Sequence, residues 1–165
     1  MTKNKTILLV LITLGVFFEF TRDYIFVNFN LQMQFLHYQS LDLDSTNYTD
    51  SFVLLFIDSL RYSTIANLKW VFTLLFSIIF FVIGLFFTKI LWQKEMYNEF
   101  KKAFTIGGLI IVLSSLLFYI IYILLNKDPL IYAVAIELSH FVQSILYPIT
   151  FILGFYANNR IKNKT

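Results

Sequence analysis

The run from Trp70 to Trp92 constrains the fold most, because it carries no charged residue before Lys89. Its body, VFTLLFSIIFFVIGLFF, is nearly as long as the apolar core of a bilayer requires of a helix. The two tryptophans would lie about 33 Å apart on a helix that rises 1.5 Å per residue, which places one aromatic anchor at each interface. We therefore predict a membrane-spanning helix over this run.

Three further apolar runs predict three more spans, at about 7–25, 104–125 and 130–156. The first run lacks a small-x-small cleavage site, so we expect an uncleaved helix rather than a signal peptide. The polar turn NKDP after the third run predicts that the third and fourth helices are antiparallel neighbours. Pro148 predicts a kink in the fourth helix. With only 14% charged residues, against about a quarter in soluble domains, the chain is predicted to be an all-α, polytopic membrane protein with four transmembrane helices in one domain, 1–165.

The cations predict the orientation of these spans. Nine Lys and Arg residues fall on one side, at positions 3, 5, 89, 94, 101, 102, 160, 162 and 164, and four on the other, at 22, 61, 69 and 127. Both termini are therefore predicted to be cytoplasmic, and the loop over about 26–69 extracytoplasmic. Asp50 or Ser51 is a candidate N-cap for a short interfacial helix from Phe52 to Tyr62. The charge of +3 serves topology and does not indicate a nucleic-acid partner.

Ionisable and polar residues inside the predicted spans form the candidate site. Glu137 and His140 lie in AVAIELSHFVQS and share a helix face, about 10 and 15 Å below the outer surface. An ionisable side chain costs about 2.5–3.5 kcal/mol at the bilayer centre, so it needs a partner. We expect these two residues to face the other polar residues at the same depth, which are Glu19, Arg22, Tyr119 and Tyr122.

Three functions remain open for this predicted cluster. It can hold the helices together, form a docking surface for another protein within the membrane, or bind a quinone, a proton, a metal or a small molecule. A metal has the weakest support, because a di-iron bundle needs two Glu-x-x-His motifs and two further Glu, whereas this chain offers one of each. Without cysteine, thiolate metal sites and cysteine nucleophiles are excluded. We predict no catalytic residue, no metal and no cofactor.

The stretch FEFTRDYIFVNFNLQMQFL, Phe18 to Leu36, resembles the exit of the first helix in small multi-pass proteins that accompany exosortases in Bacteroidota. The Arg-Asp-Tyr step and the Asn-x-Asn that follows carry the resemblance, which covers about a tenth of the chain. It implies an accessory protein that works beside a membrane cysteine peptidase. The abundant Phe, Tyr, Ile, Asn and Lys also hint at a bacterial source.

Taken together, these patterns favour a non-catalytic accessory or assembly subunit in the bacterial inner membrane. Its expected partners are the lipid bilayer and another integral membrane protein, with a homo-oligomer as a further arrangement. The alternative is a small carrier, or a quinone- or proton-handling subunit, in which Glu137 and His140 titrate. A membrane enzyme is a third hypothesis, but it needs a nucleophile or a metal set that the sequence does not supply.

Overall fold

The computed structural model describes residues 2–44, 46–125 and 129–162, and all regular secondary structure within these ranges is helical. The helices are α1 (Thr2–Ser40), α2 (Tyr62–Leu91), α3 (Lys94–Leu124), α4 (Pro129–Val142) and α5 (Leu146–Lys162), with one 3₁₀ turn at Ile57–Ser59. Within the described residues, α2 and α3 are long and apolar enough to cross a membrane, and α4 with α5 adds a third crossing if the bent pair is one span. The chain is therefore all-helical, with two or three helices suited to a membrane.

The chain forms two compact units. The bundle unit consists of Met1–Val16 and Phe76–Thr165, and the loop unit consists of Phe17–Leu75. The predicted first span, 7–25, falls inside α1, and its membrane crossing stays a prediction. The predicted turn at 126–128 and the cation Lys164 lie outside the described residues.

In the bundle unit, α4 and α5 follow α3 in the opposite direction. As α3 is followed from its end toward its start, its contact partners lie progressively later in the chain. The rings of Tyr122 and Tyr132 are 4.8 Å apart, and Ser115 Oγ donates to Ala135 O at 2.7 Å. Nearer the start of α3, the rings of Phe104 and Tyr147 are 4.5 Å apart, and those of Phe100 and Phe155 are 5.5 Å apart. The antiparallel neighbours predicted from NKDP are thus present, and both halves of the C-terminal segment contact α3.

The fourth predicted helix, 130–156 with a kink at Pro148, is bent near that proline as predicted, but the bend is a full break between two helices that meet at an angle of 74°. The break falls at residues 143–145, before Pro148, because a proline ring clashes with the carbonyl four residues earlier, which here is that of Ser144. Pro148 itself sits in the first turn of α5, where a missing N–H costs no helical bond. Ser144 lies two residues before α5 and caps its first turn, since its Oγ accepts a hydrogen bond from Leu146 N at 3.2 Å.

Aromatic rings fill the space between α3 and α5. Tyr147 is fully buried and donates a hydrogen bond to the backbone oxygen of Phe104. Phe104 also stacks on Phe81 of α2, with ring centroids 5.0 Å apart. Gly107 and Gly108 allow this approach, because a Cβ at either position would collide with the ring of Phe151 or with Tyr147. The glycine pair therefore serves close helix packing.

In the loop unit, α1 continues beyond its predicted end and stops at Ser40 in a Schellman motif. Leu43 N donates to Tyr38 O at 3.1 Å and Asp42 N to Gln39 O at 3.2 Å. Asp42 adopts the left-handed conformation (φ 54°) that this motif requires at the position after the helix. The segment between α1 and α2 is thus 41–61, shorter at both ends than the predicted loop over 26–69, and its extracytoplasmic placement stays a prediction.

The predicted helix over 52–62 is wrong, because turns and the 3₁₀ turn occupy this segment. Asp50 does cap the first turn, with Val53 N donating to its Oδ1 at 3.3 Å. The turn does not propagate, since Ser59 Oγ binds Phe56 O at 2.7 Å and Leu60 is extended. Instead, Ile57 enters a core with Phe29 and Ile65, all three fully buried.

Gly84 provides a test of the bundle packing. In Gly84→Ala, the new Cβ would lie 2.8 Å from Pro148 Cβ and 3.0 Å from Phe104 Cζ, both too close. We expect the free energy of unfolding to fall by about 1–3 kcal/mol relative to Gly154→Ala, because overpacking a filled core forces its neighbours to shift.

Gly154→Ala is the matched control, since nothing lies within 4 Å of its added Cβ and both glycines are helical. The comparison cancels the gain in helix propensity that alanine brings to each site. Unfolding in detergent, followed by circular dichroism, measures the difference. Equal stability of the two variants would contradict the packing described here.

Candidate functional site

The first pair of predicted site residues lies in the loop unit. Arg22 and Glu19 form the i,i+3 ion pair that their spacing allows, with Arg22 Nη2 2.8 Å from Glu19 Oε1. The same nitrogen lies 2.5 Å from Asp23 Oδ1, so one guanidinium serves two carboxylates. The positive charge of Arg22 is therefore already neutralised by its own helix.

The predicted tyrosines lie in the bundle unit, where α3 meets α4. The ring centroids of Tyr119 and Tyr122 are 6.0 Å apart, and Tyr122 also contacts Tyr132 of α4. The sequence analysis missed Tyr132, although it lies three residues after the NKDP turn and Tyr122 lies four residues before it. These three rings close the end of the α3–α4 pair.

Glu137 and His140 are both exposed side chains of α4. The buried residues of this helix are Ala135 and Val142, and Glu137 lies two residues, about 200° of helix rotation, from Ala135. Glu137 forms no hydrogen bond or ion pair with any described residue, whereas His140 does make a contact within the chain. The Glu137 carboxylate therefore points away from the buried face of α4.

The six predicted site residues are divided between the two units. Glu19 and Arg22 belong to the loop unit, and Tyr119, Tyr122, Glu137 and His140 belong to the bundle unit. Their assembly into one cluster stays a prediction. Within the described residues, no group of three or more His, Asp or Glu side chains comes together that could hold a metal ion.

A polar network in the loop unit was missed by the sequence analysis. Asn47 Nδ2 donates to Gln32 Oε1 and to Asp58 Oδ1, both at 3.0 Å. Thr49 adds a backbone N–H bond to Asn47 Oδ1 at 3.1 Å, and its hydroxyl lies 2.7 Å from Asp58 Oδ1. Gln32 is only 1% exposed, so these bonds satisfy a buried amide and attach the loop to α1.

A second part of the network lies nearer the middle of α1. Asn28 Oδ1 accepts a hydrogen bond from Asp50 N at 2.6 Å, and Tyr24 Oη donates to Asp50 Oδ2 at 2.5 Å. Asn28 and Gln32 are spaced i,i+4 and so share the face of α1 that receives the loop. This spacing is the sequence signal for the network, but it is informative only when residues 26–40 are recognised as helical.

Hydrogen bonds set the charge state of Asp58. The bond from Thr49 is the largest influence and lowers the pKa of the Asp58 carboxyl below its ordinary value, with smaller lowering by Ser51 and Asn47 and an opposing effect of burial. The ionised carboxylate is therefore the form that the loop stabilises.

Two residues of the network also belong to an N-glycosylation sequence pattern. Asn47-Tyr48-Thr49 fits the N-x-Thr acceptor sequence, which applies in a eukaryotic secretory pathway. Both the amide nitrogen and the amide oxygen of Asn47 are already bound inside the loop unit. The Asn47 side chain is therefore part of the hydrogen-bond network of the loop.

The structure is thus an all-helical chain with two or three helices suited to a membrane, an ordered polar loop and an exposed carboxylate on α4. Comparison with protein-family models, with curated proteins and with solved structures gives no match.

Asp58→Ala tests the network. The substitution removes the acceptor of Asn47 and Thr49, so we expect the amides of Thr49 and Asp50 to exchange with solvent about fivefold faster, as loss of about 1 kcal/mol of hydrogen bonding implies. Asp44→Ala is the control, because Asp44 is an exposed carboxylate of the same loop that takes no part in the network. Hydrogen exchange measured by mass spectrometry distinguishes them, and equal rates in the two variants would contradict the network.

The lowered pKa of Asp58 predicts an acid-sensitive loop. A carboxyl whose pKa is lower in the folded state stabilises that state above its unfolded pKa of about 4, and the stabilisation is lost as the pH falls through the lowered folded value. We expect exchange of the loop amides, corrected for its intrinsic pH dependence, to accelerate below about pH 4. Asp58→Asn should lack this acceleration, and an unchanged pH profile in that variant would show that another group is responsible.

Proposed function

We propose that this protein is a non-catalytic integral membrane subunit that docks onto another membrane protein through the exposed face of α4. The observation that carries this proposal is Glu137, an exposed carboxylate without a described partner on a helix pair apolar enough to form a span. A carboxylate in that position favours a protein neighbour over lipid, because it is costly against hydrocarbon.

The proposal includes a membrane topology. α1, α2, α3 and the α4–α5 pair form four spans, with both termini in the cytoplasm of a bacterium and the loop unit outside. The continuous order of contacts from Tyr122–Tyr132 to Phe100–Phe155 supports one broken span in α4–α5 over a re-entrant loop. Glu137 then lies about 12 Å along the helix from Pro129, within the hydrocarbon layer.

The chemistry of the partner follows from the exposed groups. A carboxylate is best satisfied in hydrocarbon by a cation or by hydrogen-bond donors on a neighbouring helix. The proposed partner therefore presents a Lys, an Arg or a set of hydroxyl or amide donors within a span, at the depth of Glu137. An exosortase-type peptidase is a narrower proposal that rests on the resemblance of Phe18 to Leu36.

A small carrier or a proton-handling subunit is the second candidate, and the same exposed Glu137 and His140 favour it. In that case the two groups titrate, and the carboxylate faces a path formed by a second copy of the chain. The two candidates differ in what accompanies the protein in the membrane.

Co-purification tests the proposed function. With a C-terminal tag and a mild detergent, we expect one membrane protein to co-purify at fixed stoichiometry, to be retained in part with Glu137→Gln, and to be lost with Glu137→Leu at normal abundance. The leucine removes both the charge and the hydrogen-bond acceptor, while the exposed position leaves the fold intact. Glu99→Leu is the control, because it makes the same change at an exposed position near the start of α3.

Two other results of the co-purification would contradict the proposed docking. Reduced abundance of Glu137→Leu, with partner lost only in proportion, would show that Glu137 holds the helices of this chain together. Purification of the wild-type protein alone, as a stable homo-oligomer, would favour the carrier.

A further inference from the structure

Four large apolar side chains project from the loop unit at one place. Phe52, Val53, Leu55 and Phe56 are 88%, 60%, 81% and 49% exposed, and we call them the loop knob. The residue between them, Leu54, packs against the core, and Ile57 immediately after them is fully buried. The knob is thus a set of outward side chains on an anchored backbone rather than a loose tail.

The base of the knob is fixed to one level of α1. Asp50, two residues before Phe52, accepts from the Tyr24 hydroxyl and donates its backbone N–H to Asn28. Asp50 Oδ1 also accepts from Val53 N, so the same side chain fixes the first turn of the knob. The knob therefore begins beside residues 24–28 of α1.

That level coincides with the boundary of the proposed membrane. On α1, the predicted first span ends at Ile25. On α2, the predicted second span begins at Trp70. Lys69 Nζ donates to Asn30 Oδ1 at 2.8 Å and the rings of Phe72 and Phe29 are 5.6 Å apart, so Trp70 lies near the level of Asn30. These two estimates of the boundary differ by five residues, about 8 Å on a helix, which is close to the thickness of one interfacial layer. Asp50 bonds to Tyr24, one residue before Ile25, and to Asn28, so it lies at this level of α1.

We infer that the loop knob inserts into the interfacial layer of the outer leaflet, and that its partner is the lipid bilayer itself. The segment from Ser51 to Ile57 carries no charge, as insertion beside acyl chains requires. Trp70, half exposed at the same boundary, is a residue type enriched at this interface. The inference rests on the proposed placement of α1 and α2 in the membrane.

The polar network gains a role from this inference. It binds both ends of the segment to α1, through Asn47 and Asp58 on one side and Asp50 on the other. The knob is therefore held in its exposed arrangement before it meets lipid, and little conformational entropy is lost on insertion.

Single cysteines test the inference directly, because the natural chain has none. Leu55→Cys is labelled with an environment-sensitive fluorophore, and the protein is reconstituted in phosphatidylcholine–phosphatidylglycerol vesicles that contain a lipid spin-labelled near its carbonyl groups. Leu43→Cys is the matched control: it is an exposed leucine of the same loop, bonded to Tyr38, about 12 Å along α1 beyond Asn30. Ile78→Cys, in the middle of α2, reports whether the spans are in the bilayer.

We expect the label at position 55 to be quenched at least threefold more strongly than the label at position 43. Equal, weak quenching at both positions, with position 78 buried in the bilayer, would overturn the inference and leave the proposed topology standing. Shielding of position 55 in native membranes, but not in the pure vesicles, would overturn it in favour of a protein partner. A water-exposed label at position 78 would overturn the membrane placement and the inference with it.

Discussion

The bundle unit depends on the contact between Tyr147 of α5 and the surface of α3. Helices in hydrocarbon gain little from burying apolar surface, because lipid is as apolar as leucine, so close packing and internal hydrogen bonds must hold them together. Tyr147 supplies both, since its ring stacks on Phe104 and its hydroxyl bonds to the backbone of the same residue. Gly108 makes room for it, and the rings of Phe141 and Phe151 surround it.

The loop unit is held together by hydrogen bonds between polar side chains and the loop backbone. These hydrogen bonds compete with helix formation in the loop. The side chains of Asn28, Gln32, Asn47 and Asp58 satisfy one another and the loop backbone, and together they hold Ile57 in the core. A short helix over 52–62 would have to break this arrangement. The tertiary bonds therefore prevail over the local propensity of an apolar segment for helix.

The long uncharged runs allowed α2 and α3 to be predicted from sequence, because hydropathy reports directly on whether a helix suits a bilayer. The same reasoning ended α1 too early, since Asn28 and Gln32 resemble loop residues until their partners, about 20 residues away, are known. The pattern Phe29, Met33 and Leu36 does carry a helical spacing, and these residues pack on the core of the loop unit.

For the candidate site, sequence reasoning identified residue types but not directions. The i,i+3 spacing of Glu19 and Arg22 places both residues on one face of α1, which is enough to bring them into an ion pair. The orientation of Glu137 was not predictable, since it depends on which face of α4 meets α3, and that face is set by Ala135 and its contact with Ser115. Small residues at a helix contact give only a weak signal in a single sequence.

The bend between α4 and α5 has a consequence for biogenesis. The two helices have 14 and 17 residues, each shorter than the roughly 20 that cross a bilayer. In the proposed topology neither half crosses the bilayer alone. The break between them carries Gln143 and Ser144, which are buried in the bundle unit and whose backbone N–H groups bond to Ser139 O and Phe141 O, as a break at membrane depth requires. In that topology we expect the α4–α5 pair to insert after α3, because the rings on both sides of the break need the surface of α3 to dock against.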